Sequence, residues 1–351
     1  MIPRLSEKLL LRPEDLKPLH DDFAVIGVFN PGVVKVNDEI VMLARVAEKP
    51  LEMRPGFVGL PRWGKDGEVA VDWVAEAELD QDDPRLVRRK SDDLVRLTSI
   101  SHLQVFRSRD ECASAWTPGA VLLPESSTEE FGIEDPRITE LDGKHWITYV
   151  AVSRLGAATA LASTRDWTTF ERHGVIFCPE NKDVVLFPRQ VHGQYAALHR
   201  PNPHTQFDRP RIWFARSPNL LYWGKYEFLH RGNAVWESDR VGAGVPPIEI
   251  EEGWLEIYHG SRRAAHAGEV GAYSAGALLL DRGNPARVLR RSHEPIMRPM
   301  ADFERAGCVP DVVFPTAVIQ RDETLLVYYG ASDTFVGVVE LSRKELLAAL
   351  R

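Results

Sequence analysis

The sequence is poor in cysteine, and the three cysteines that it has stand far apart. Cys112, Cys178 and Cys308 show no Cys-x-x-Cys spacing, which gives no support to a disulfide framework or a zinc knuckle. We therefore expect three reduced, buried thiols. The sequence also lacks a His-Glu-x-x-His pattern and a calcium-type carboxylate loop. We expect no metal and no organic cofactor.

Long apolar runs and a surplus of positive charge are absent as well. No apolar stretch approaches the roughly 20 residues that span a bilayer, and the run 9–11 is too short for a secretion signal. The formal net charge of -8 argues against a general nucleic-acid or membrane binder, because such proteins usually carry clustered lysine and arginine. We expect a cytoplasmic protein that holds anions only locally. The oligomeric state is left open, with a homo-oligomer as one option.

What the sequence does contain is a weak internal repeat. In each copy a proline opens an apolar run, a polar turn follows, and a strand rich in aromatic residues comes next. The copies begin at Pro31, Pro136, Pro188, Pro246 and Pro315. Each copy predicts a β-hairpin with further strands behind it, and helical periodicity is almost absent. Five copies of four strands predict an all-β, five-bladed β-propeller.

The repeat accounts for residues 1–351 as a single domain with one interruption. The first two copies are far apart because residues 49–95 carry an insertion, which we expect to be an irregular excursion over the active-site face. Short helical segments are expected at both termini. Residues 342–345 have the capping-box pattern and lead into an apolar stretch, and the acidic region 14–22 is the second such segment.

The charged stretch 131–137 has the strongest functional signal. It holds Glu134, Asp135 and Arg137 at the start of a predicted strand, and the following proline predicts an extended backbone for Asp135. Alone, the motif is more typical of a solvated acidic loop, or of a carboxylate in a salt bridge with Arg137, than of a functional site. In a propeller, however, the first strands line the central channel, so polar residues of the first and second strands should converge. These residues are Asn30, Arg45, Asp135, Lys182, Asp183, His199, Arg200, Arg240, Tyr258, His259, Asp311, Phe314 and Asp333.

In this order the motifs resemble glycoside hydrolase family 130, the β-mannoside phosphorylases and their hydrolytic relatives on a five-bladed propeller. The resemblance runs from Val28 to Asp333. It is carried by residues 28–31 with Arg45, and by 134–137, 181–188, 198–201, 242–248, 252–254, 257–260, 312–315 and 329–333. Each motif is weak alone, but their order is specific.

The resemblance implies inverting phosphorolysis of β-linked mannosides by inorganic phosphate, with release of α-mannose 1-phosphate. It implies that Asp135 is the general acid and passes its proton through a sugar hydroxyl. The implied sugar-binding residues are Asn30, Arg45, Glu134, His204, Tyr273, Phe314 and Asp333. The implied phosphate-binding residues are Lys182, Arg200, Arg240 and His259. The linkage and the acceptor sugar are left open.

The sequence departs from the family pattern at three places. Lys182 replaces an expected arginine, Arg240 replaces an expected lysine, and residues 189–190 replace a Glu-Lys pair. The first two changes keep the positive charge and bear on the geometry of phosphate binding. The third bears on substrate preference.

Alternative interpretations also remain from the residues alone. An inverting β-mannosidase would need a carboxylate base, for which Asp183, Asp311 and Glu249 are candidates. A non-catalytic propeller that binds glycans or proteins is a third possibility. Arg200 could be a structural partner of Asp183, and His259 could be a core histidine.

Overall fold

The computed structural model describes residues 2–64, 67–83, 85–112, 115–202, 207–264, 266 and 270–351, with only the backbone at 82 and 83. His204 lies outside the described residues. The described chain is all-β apart from single helical turns and two short helices, α1 (Asp302–Arg305) and α2 (Arg343–Ala348). Among the described residues no helix is long and apolar enough to cross a membrane.

Most of the described strands form five groups of four. The first strand, β1 (Arg4–Leu11), belongs to the last group. The first group contains β2 (Phe23–Val36), β3 (Glu39–Pro50), β9 (Ile100–Ser108) and β10 (Thr117–Leu122). The second group contains β11 (Gly132–Leu141), β12 (Lys144–Ser153), β13 (Gly156–Thr164) and β14 (Glu171–Phe177).

The third group contains β15 (Asn181–Leu186), β16 (Tyr195–Pro201), β17 (Ile212–Ser217) and β18 (Gly224–His230). The fourth group contains β19 (Arg240–Ala243), β21 (Gly253–Ser261), β22 (Tyr273–Leu280) and β23 (Val288–Arg291), with the short β20 (Ile248–Ile250) beside β21. The fifth group contains β24 (Val313–Arg321), β25 (Thr324–Ala331), β26 (Phe335–Ser342) and β1. Neighbouring strands within each group are antiparallel, as the repeated hairpins predicted.

The apolar core lies between neighbouring groups. Each pair of consecutive groups shares one cluster of buried side chains, and a further cluster joins the fifth group to the first. In that last cluster Leu10 and Tyr328 pack with Val28 and Met42. Alternating apolar residues on the middle strands therefore serve both faces of each sheet.

The chain ends differ in how well the sequence predicted them. At the carboxyl end, α2 (Arg343–Ala348) follows Ser342, whose hydroxyl accepts a hydrogen bond from the Glu345 N–H at 3.3 Å, which confirms the predicted cap. At the amino end, the expected helical segment over 14–22 is reduced to one 3₁₀ turn at Pro13–Asp15. The strand β1 before it was not predicted. It pairs antiparallel with β26, from Arg4 opposite Leu341 onward.

The insertion is more regular than its proline-rich sequence predicted. It contains the hairpin β4 (Phe57–Trp63) and β5 (Val69–Ala75), then a three-stranded sheet of β6 (Leu79–Asp83), β7 (Leu86–Arg89) and β8 (Val95–Leu97). The expectation of an irregular excursion was wrong. Trp63, Val69 and Val71 pack in a separate apolar cluster with Phe23 and Ile100, which gives the hairpin its own core.

All three cysteines lie in the described part of the chain, and none forms a disulfide. The expectation that they are buried was wrong, since Cys178 is exposed and Cys112 and Cys308 are partly exposed. Cys178 follows directly after the outer strand β14, which ends at Phe177, and so lies in a surface connection.

Candidate functional site

A cavity of about 840 Å³ is lined by residues from all five groups and from the insertion. It lies against the middle of β2 and the beginnings of the other first strands, β11, β15, β19 and β24. Its charged and aromatic lining includes Arg45, Arg85, Glu134, Asp135, Lys182, Asp183, Arg200, Asp239, Arg240, Arg263, Tyr273, Phe314 and Asp333. Asn30 also contributes. Most of the predicted site residues are therefore brought together.

Irregularities in the first strands orient three of these side chains toward the cavity. Asn30, Asp135 and Asp183 have positive φ angles of 49°, 51° and 55°. Each lies at a register shift in its strand, where one extra residue bulges out of the ladder. The expectation of an extended backbone at Asp135 was wrong, because the bulge puts this residue in the left-handed region. Asparagine and aspartate are the non-glycine residues that tolerate this region best.

Asp135 is held by two neighbours through one of its oxygens. The Asn30 amide donates to Oδ1 at 2.9 Å, and Arg45 Nη1 donates to the same atom at 3.2 Å. Arg45 also binds Glu134 Oε1 through Nη2 at 2.7 Å. Burial of Arg45 would lower its pKa, but the charges of Glu134, Asp135 and Asp333 together raise it. Both contacts use Oδ1, so Asn30 and Arg45 fix the orientation of this carboxylate.

Two predicted cations, Lys182 and Arg200, lie side by side on one sheet face. They are direct cross-strand partners in β15 and β16, and both line the cavity. Lys182 Nζ is 3.9 Å from Glu134 Oε2, whereas Arg200 Nη1 is 3.0 Å from Asp183 Oδ2. Arg240 lines the cavity from the fourth group and donates to Asp239 Oδ2 at 2.7 Å.

A buried cluster of polar side chains at the contact of the third and fourth groups contains Asp183, Arg200 and His259. Asp183 Oδ2 is 3.3 Å from His259 Nε2, and burial alone would raise the pKa of this carboxyl. The charge of Arg200 offsets that effect and holds the pKa of Asp183 well below its usual range. Burial lowers the pKa of His259, so its imidazole is neutral at pH 7. His259 is fully buried and lies behind the cavity lining, with its ring 4.2 Å from that of Phe314.

Phe314 and Tyr273 form the aromatic side of the cavity, with ring centres 6.1 Å apart. Behind them, Arg137 donates to the carbonyl of Asp135 at 2.9 Å and to that of Gly244 at 2.6 Å. Arg137 is therefore a buried support of the Asp135 bulge, and the simple salt bridge considered from sequence is replaced by a backbone contact.

The other carboxylates considered as bases lie elsewhere. Asp311 lines a separate cavity of about 900 Å³, so its predicted convergence with the other residues was wrong. Glu249 pairs with Arg189 at 2.6 Å, and neither residue lines the main cavity. His199 and Tyr258 are buried among aromatic rings, where Tyr258 donates to Glu237 Oε2 at 2.7 Å. Their predicted place at the site was wrong, because Tyr258 packs in the core between the third and fourth groups and His199 stacks on Phe177, at the contact of the second and third groups.

Sequence reasoning missed several lining residues, of which Arg85 and Asp239 make the clearest contacts. Arg85, from the insertion, places Nη1 3.0 Å from Asp333 Oδ2. Asp239 precedes β19 and binds Arg240. Neither residue belongs to the repeated frame, although the Asp239-Arg240 pair is visible in the sequence. No group of three metal-ligating side chains occurs among the described residues.

Comparisons with known proteins show a consistent set of relatives. Residues 98–351 match the family model Glyco_hydro_130, described as beta-1,4-mannooligosaccharide phosphorylase. The beta-1,2-mannobiose phosphorylase of Listeria innocua serovar 6a is 39% identical over 99% of this chain and 98% of its own. A 1,2-beta-oligomannan phosphorylase of Thermoanaerobacter sp. is 36% identical over 70% of this chain and 80% of its own.

A solved structure supports the same relationship. The Listeria innocua beta-1,2-mannobiose phosphorylase, in complex with beta-1,2-mannobiose, matches with a TM-score of 0.90 and 38% identity. The match covers 97% of this chain and 96% of that chain.

Proposed function

Because this chain belongs to glycoside hydrolase family 130, we propose that it is an inverting phosphorylase of β-1,2-linked mannosides, with mannobiose as a substrate. The β-1,2 linkage is supported by the similarity to the Listeria innocua enzyme over nearly the full length of both chains. Inorganic phosphate is the second substrate, and no other cofactor is required.

The observation that carries phosphorolysis is the pairing of Lys182 with Arg200. Like charges directly opposite each other on neighbouring strands destabilise a sheet. Here both side chains line the cavity, and Arg240 lines it from the next group. Such an arrangement is favourable when an anion lies between the cations, and a planar guanidinium suits phosphate oxygens. We assign phosphate binding to Lys182, Arg200 and Arg240, with neutral His259 as a buried support.

Hydrolysis has weaker support from the same geometry. An inverting hydrolase needs a second carboxylate that takes a proton from water. Asp183 is the nearest candidate of the three considered, but its ion pair with Arg200 and its low pKa make it a poor base. The phosphate anion needs no such base.

The proposed reaction uses Asp135 as the general acid. A phosphate oxygen attacks the anomeric carbon and forms the new C–O bond, while the bond from that carbon to the glycosidic oxygen breaks on the opposite face. The leaving oxygen receives the proton that originates on Asp135, through a sugar hydroxyl. Asn30, Arg45, Glu134 and Asp333 bind sugar hydroxyls, and Tyr273 and Phe314 provide the apolar platform. His204 contacts the leaving sugar in this proposal. The products are α-mannose 1-phosphate and the shortened mannoside.

We further propose that the five groups close into a five-bladed propeller. Five apolar clusters follow one another from group to group and return from the fifth to the first. The amino-terminal strand β1 completes the last group by pairing with β26. A crystal structure tests this closure. We also place the protein in the cytoplasm, where a chain with three cysteines and no disulfide is typical.

The experiment that tests the function compares cleavage of β-1,2-mannobiose with and without inorganic phosphate. We expect cleavage to require phosphate and to release a sugar 1-phosphate, whose α configuration is read by NMR. Lys182→Ala should raise the KM for phosphate by about tenfold, which corresponds to about 1.4 kcal/mol, and change the KM for mannobiose much less. Equal release of mannose in phosphate-free buffer would favour the hydrolase.

Lys144→Ala is the matched control for Lys182→Ala. Lys144 lies in β12 and its ammonium group is 2.6 Å from the exposed Glu171, away from the cavity. Its removal deletes the same charge from the protein, so an effect of net charge alone would appear in both variants.

A further inference from the structure

One side of the cavity comes from the small sheet of the insertion. Arg85, Leu86 and Leu97 line the cavity there, and we call these three residues the insertion wall. Leu86 and Leu97 are direct cross-strand partners in β7 and β8. The carbonyl of Arg85 accepts hydrogen bonds from the N–H and the hydroxyl of Thr98, at 3.0 and 3.2 Å. The backbone of the insertion wall is thus fixed by the sheet and by these bonds.

The insertion is also fastened to the segment that precedes Asp135. The Trp63 N–H donates to the carbonyl of Glu130 at 2.8 Å. The Arg96 guanidinium lies 4.6 Å from the centre of the Phe131 ring and donates to the carbonyl of Leu60 at 3.0 Å. Trp63 and Arg96 thereby attach the insertion to residues 130 and 131, directly before β11. The insertion wall is therefore built into the site.

Arg85 contacts the site through Asp333, with Nη1 and Oδ2 3.0 Å apart. The side chain of Asp333 is 15% exposed and that of Arg85 is 38% exposed, so both present atoms to the cavity. A guanidinium carries five N–H donors and a carboxylate has about four acceptor positions. A pair of this kind can donate to one sugar hydroxyl and accept from its neighbour while the ion pair persists.

The family match separates the two partners of this contact. Asp333 lies within the matched residues 98–351, whereas Arg85 lies before them. The insertion contributes a cation and two leucines to a cavity whose other lining residues come mostly from residues 98–351. A wall of this kind can change which mannosides fit without changing the chemistry at Asp135.

We propose that Arg85 is a specificity-determining residue that binds the mannoside together with Asp333, and that the insertion wall limits the length of the bound chain. This inference rests on the proposed function and deepens it. Arg85 donates to one hydroxyl while Asp333 accepts from the next, and Leu86 and Leu97 contact an apolar face of a sugar ring. A longer chain meets the insertion wall, so the disaccharide is preferred.

Calorimetry in phosphate-free buffer tests this directly, with β-1,2-mannobiose and β-1,2-mannotriose as ligands. We expect Arg85→Ala to weaken binding of mannobiose by about tenfold and binding of mannotriose by less, so that selectivity for the shorter chain falls. Arg85→Lys should give an intermediate loss, because lysine keeps the charge but loses the planar fork. Arg89→Ala is the control, since Arg89 ends the strand β7 that follows Arg85 and pairs with Asp92 at 2.8 Å outside the cavity.

Each outcome decides the inference. An Arg85→Ala protein that binds mannobiose within twofold of wild type overturns it, and persistent phosphate-dependent turnover then leaves the proposed function standing. A wild-type protein that binds no β-mannoside overturns both. In kinetic runs the KM for phosphate should stay within twofold in Arg85→Ala. If the KM for phosphate rises by the same factor as sugar binding weakens, the inference is overturned, because such a result shows a general disturbance of the cavity.

Discussion

Asp183→Asn is the substitution that most sharply tests the electrostatics beneath the cavity. Asp183 is 4% exposed and Arg200 is 5% exposed, and their ion pair measures 3.0 Å. Asparagine has nearly the same shape as aspartate and tolerates the φ angle of 55° at this position. The carboxylate is closely packed, because a Cβ atom at Gly242 would lie only 2.2 Å from Asp183 Oδ2. A larger side chain at position 183 would not fit. The substitution therefore removes a charge and little else.

The expected loss of stability follows from leaving Arg200 buried without its counterion. Breaking a buried pair by removing one partner costs about 3–5 kcal/mol. With an unfolding entropy of about 2.1 cal/mol/K per residue, a chain of 351 residues has about 0.7 kcal/mol/K. The melting temperature of Asp183→Asn should therefore fall by about 4–7 °C at pH 7. Differential scanning calorimetry measures this fall.

Two further measurements separate this explanation from a general packing defect. The pKa of Asp183 is held below its usual range in the folded protein, so its contribution is present above about pH 4 and is lost as the pH falls further. The difference between wild type and Asp183→Asn should shrink in acid. Added phosphate should raise the melting temperature of the variant more than that of wild type, because the anion replaces the missing charge beside Arg200. A loss below about 1 kcal/mol, or a difference independent of pH, would refute the reasoning.

Two other substitutions test the acid and the core. Asp135→Asn should lower turnover of β-1,2-mannobiose by about 10²–10⁴-fold in initial-rate assays while calorimetric binding of the sugar persists, and retention of most activity would contradict the assigned acid. Burial alone would raise the pKa of Glu237, but His230 at 3.8 Å and hydrogen bonds from the Asn233 N–H and the Tyr258 hydroxyl lower it to about 2. Glu237→Gln should therefore cost about 3 kcal/mol at pH 7, and the loss should diminish as the pH falls from about 4.5 toward 2 in urea titrations; a constant loss would contradict this cause.

The repeated frame predicted the strands well because each copy has local signals of its own. The third strand of the fourth group, Tyr273–Leu280, and the fourth strand of the second group, Glu171–Phe177, begin and end where alternation and turn residues placed them. The polar residues at the first strands were predicted for a topological reason, since first strands of such groups face one cavity. Hydrophobic period and turn chemistry were sufficient for the strands, whereas the topological argument wrongly placed Asp311, His199 and Tyr258 at the cavity.

Contacts between distant segments were beyond these signals. Arg85 and Asp333 are 248 positions apart, and the insertion that carries Arg85 does not repeat. A second missed feature recurs in three groups, where a buried glutamate in a single helical turn accepts a hydrogen bond from a tyrosine of the second strand. The distances are 2.8 Å for Tyr149 and Glu129, 2.7 Å for Tyr258 and Glu237, and 2.6 Å for Tyr329 and Glu304. The tyrosines lie in predicted strands, but their polar partners lie outside the frame.

The backbone of Asp135 was predicted wrongly because the rule for a residue before proline considers only its immediate neighbours. The preference of a residue before proline for extended backbone is a property of the dipeptide, and it costs at most a few kcal/mol to override. The bulge overrides it because the β11–β12 ladder is paired on both sides of Asp135, at Glu134 with Val150 and at Arg137 with Thr148. The extra residue must leave the ladder, and the left-handed turn points its carboxylate at Asn30 and Arg45. An extended Asp135 would keep the regular pleat and lose its alignment with Asn30 and Arg45, on which its proposed role as the acid depends.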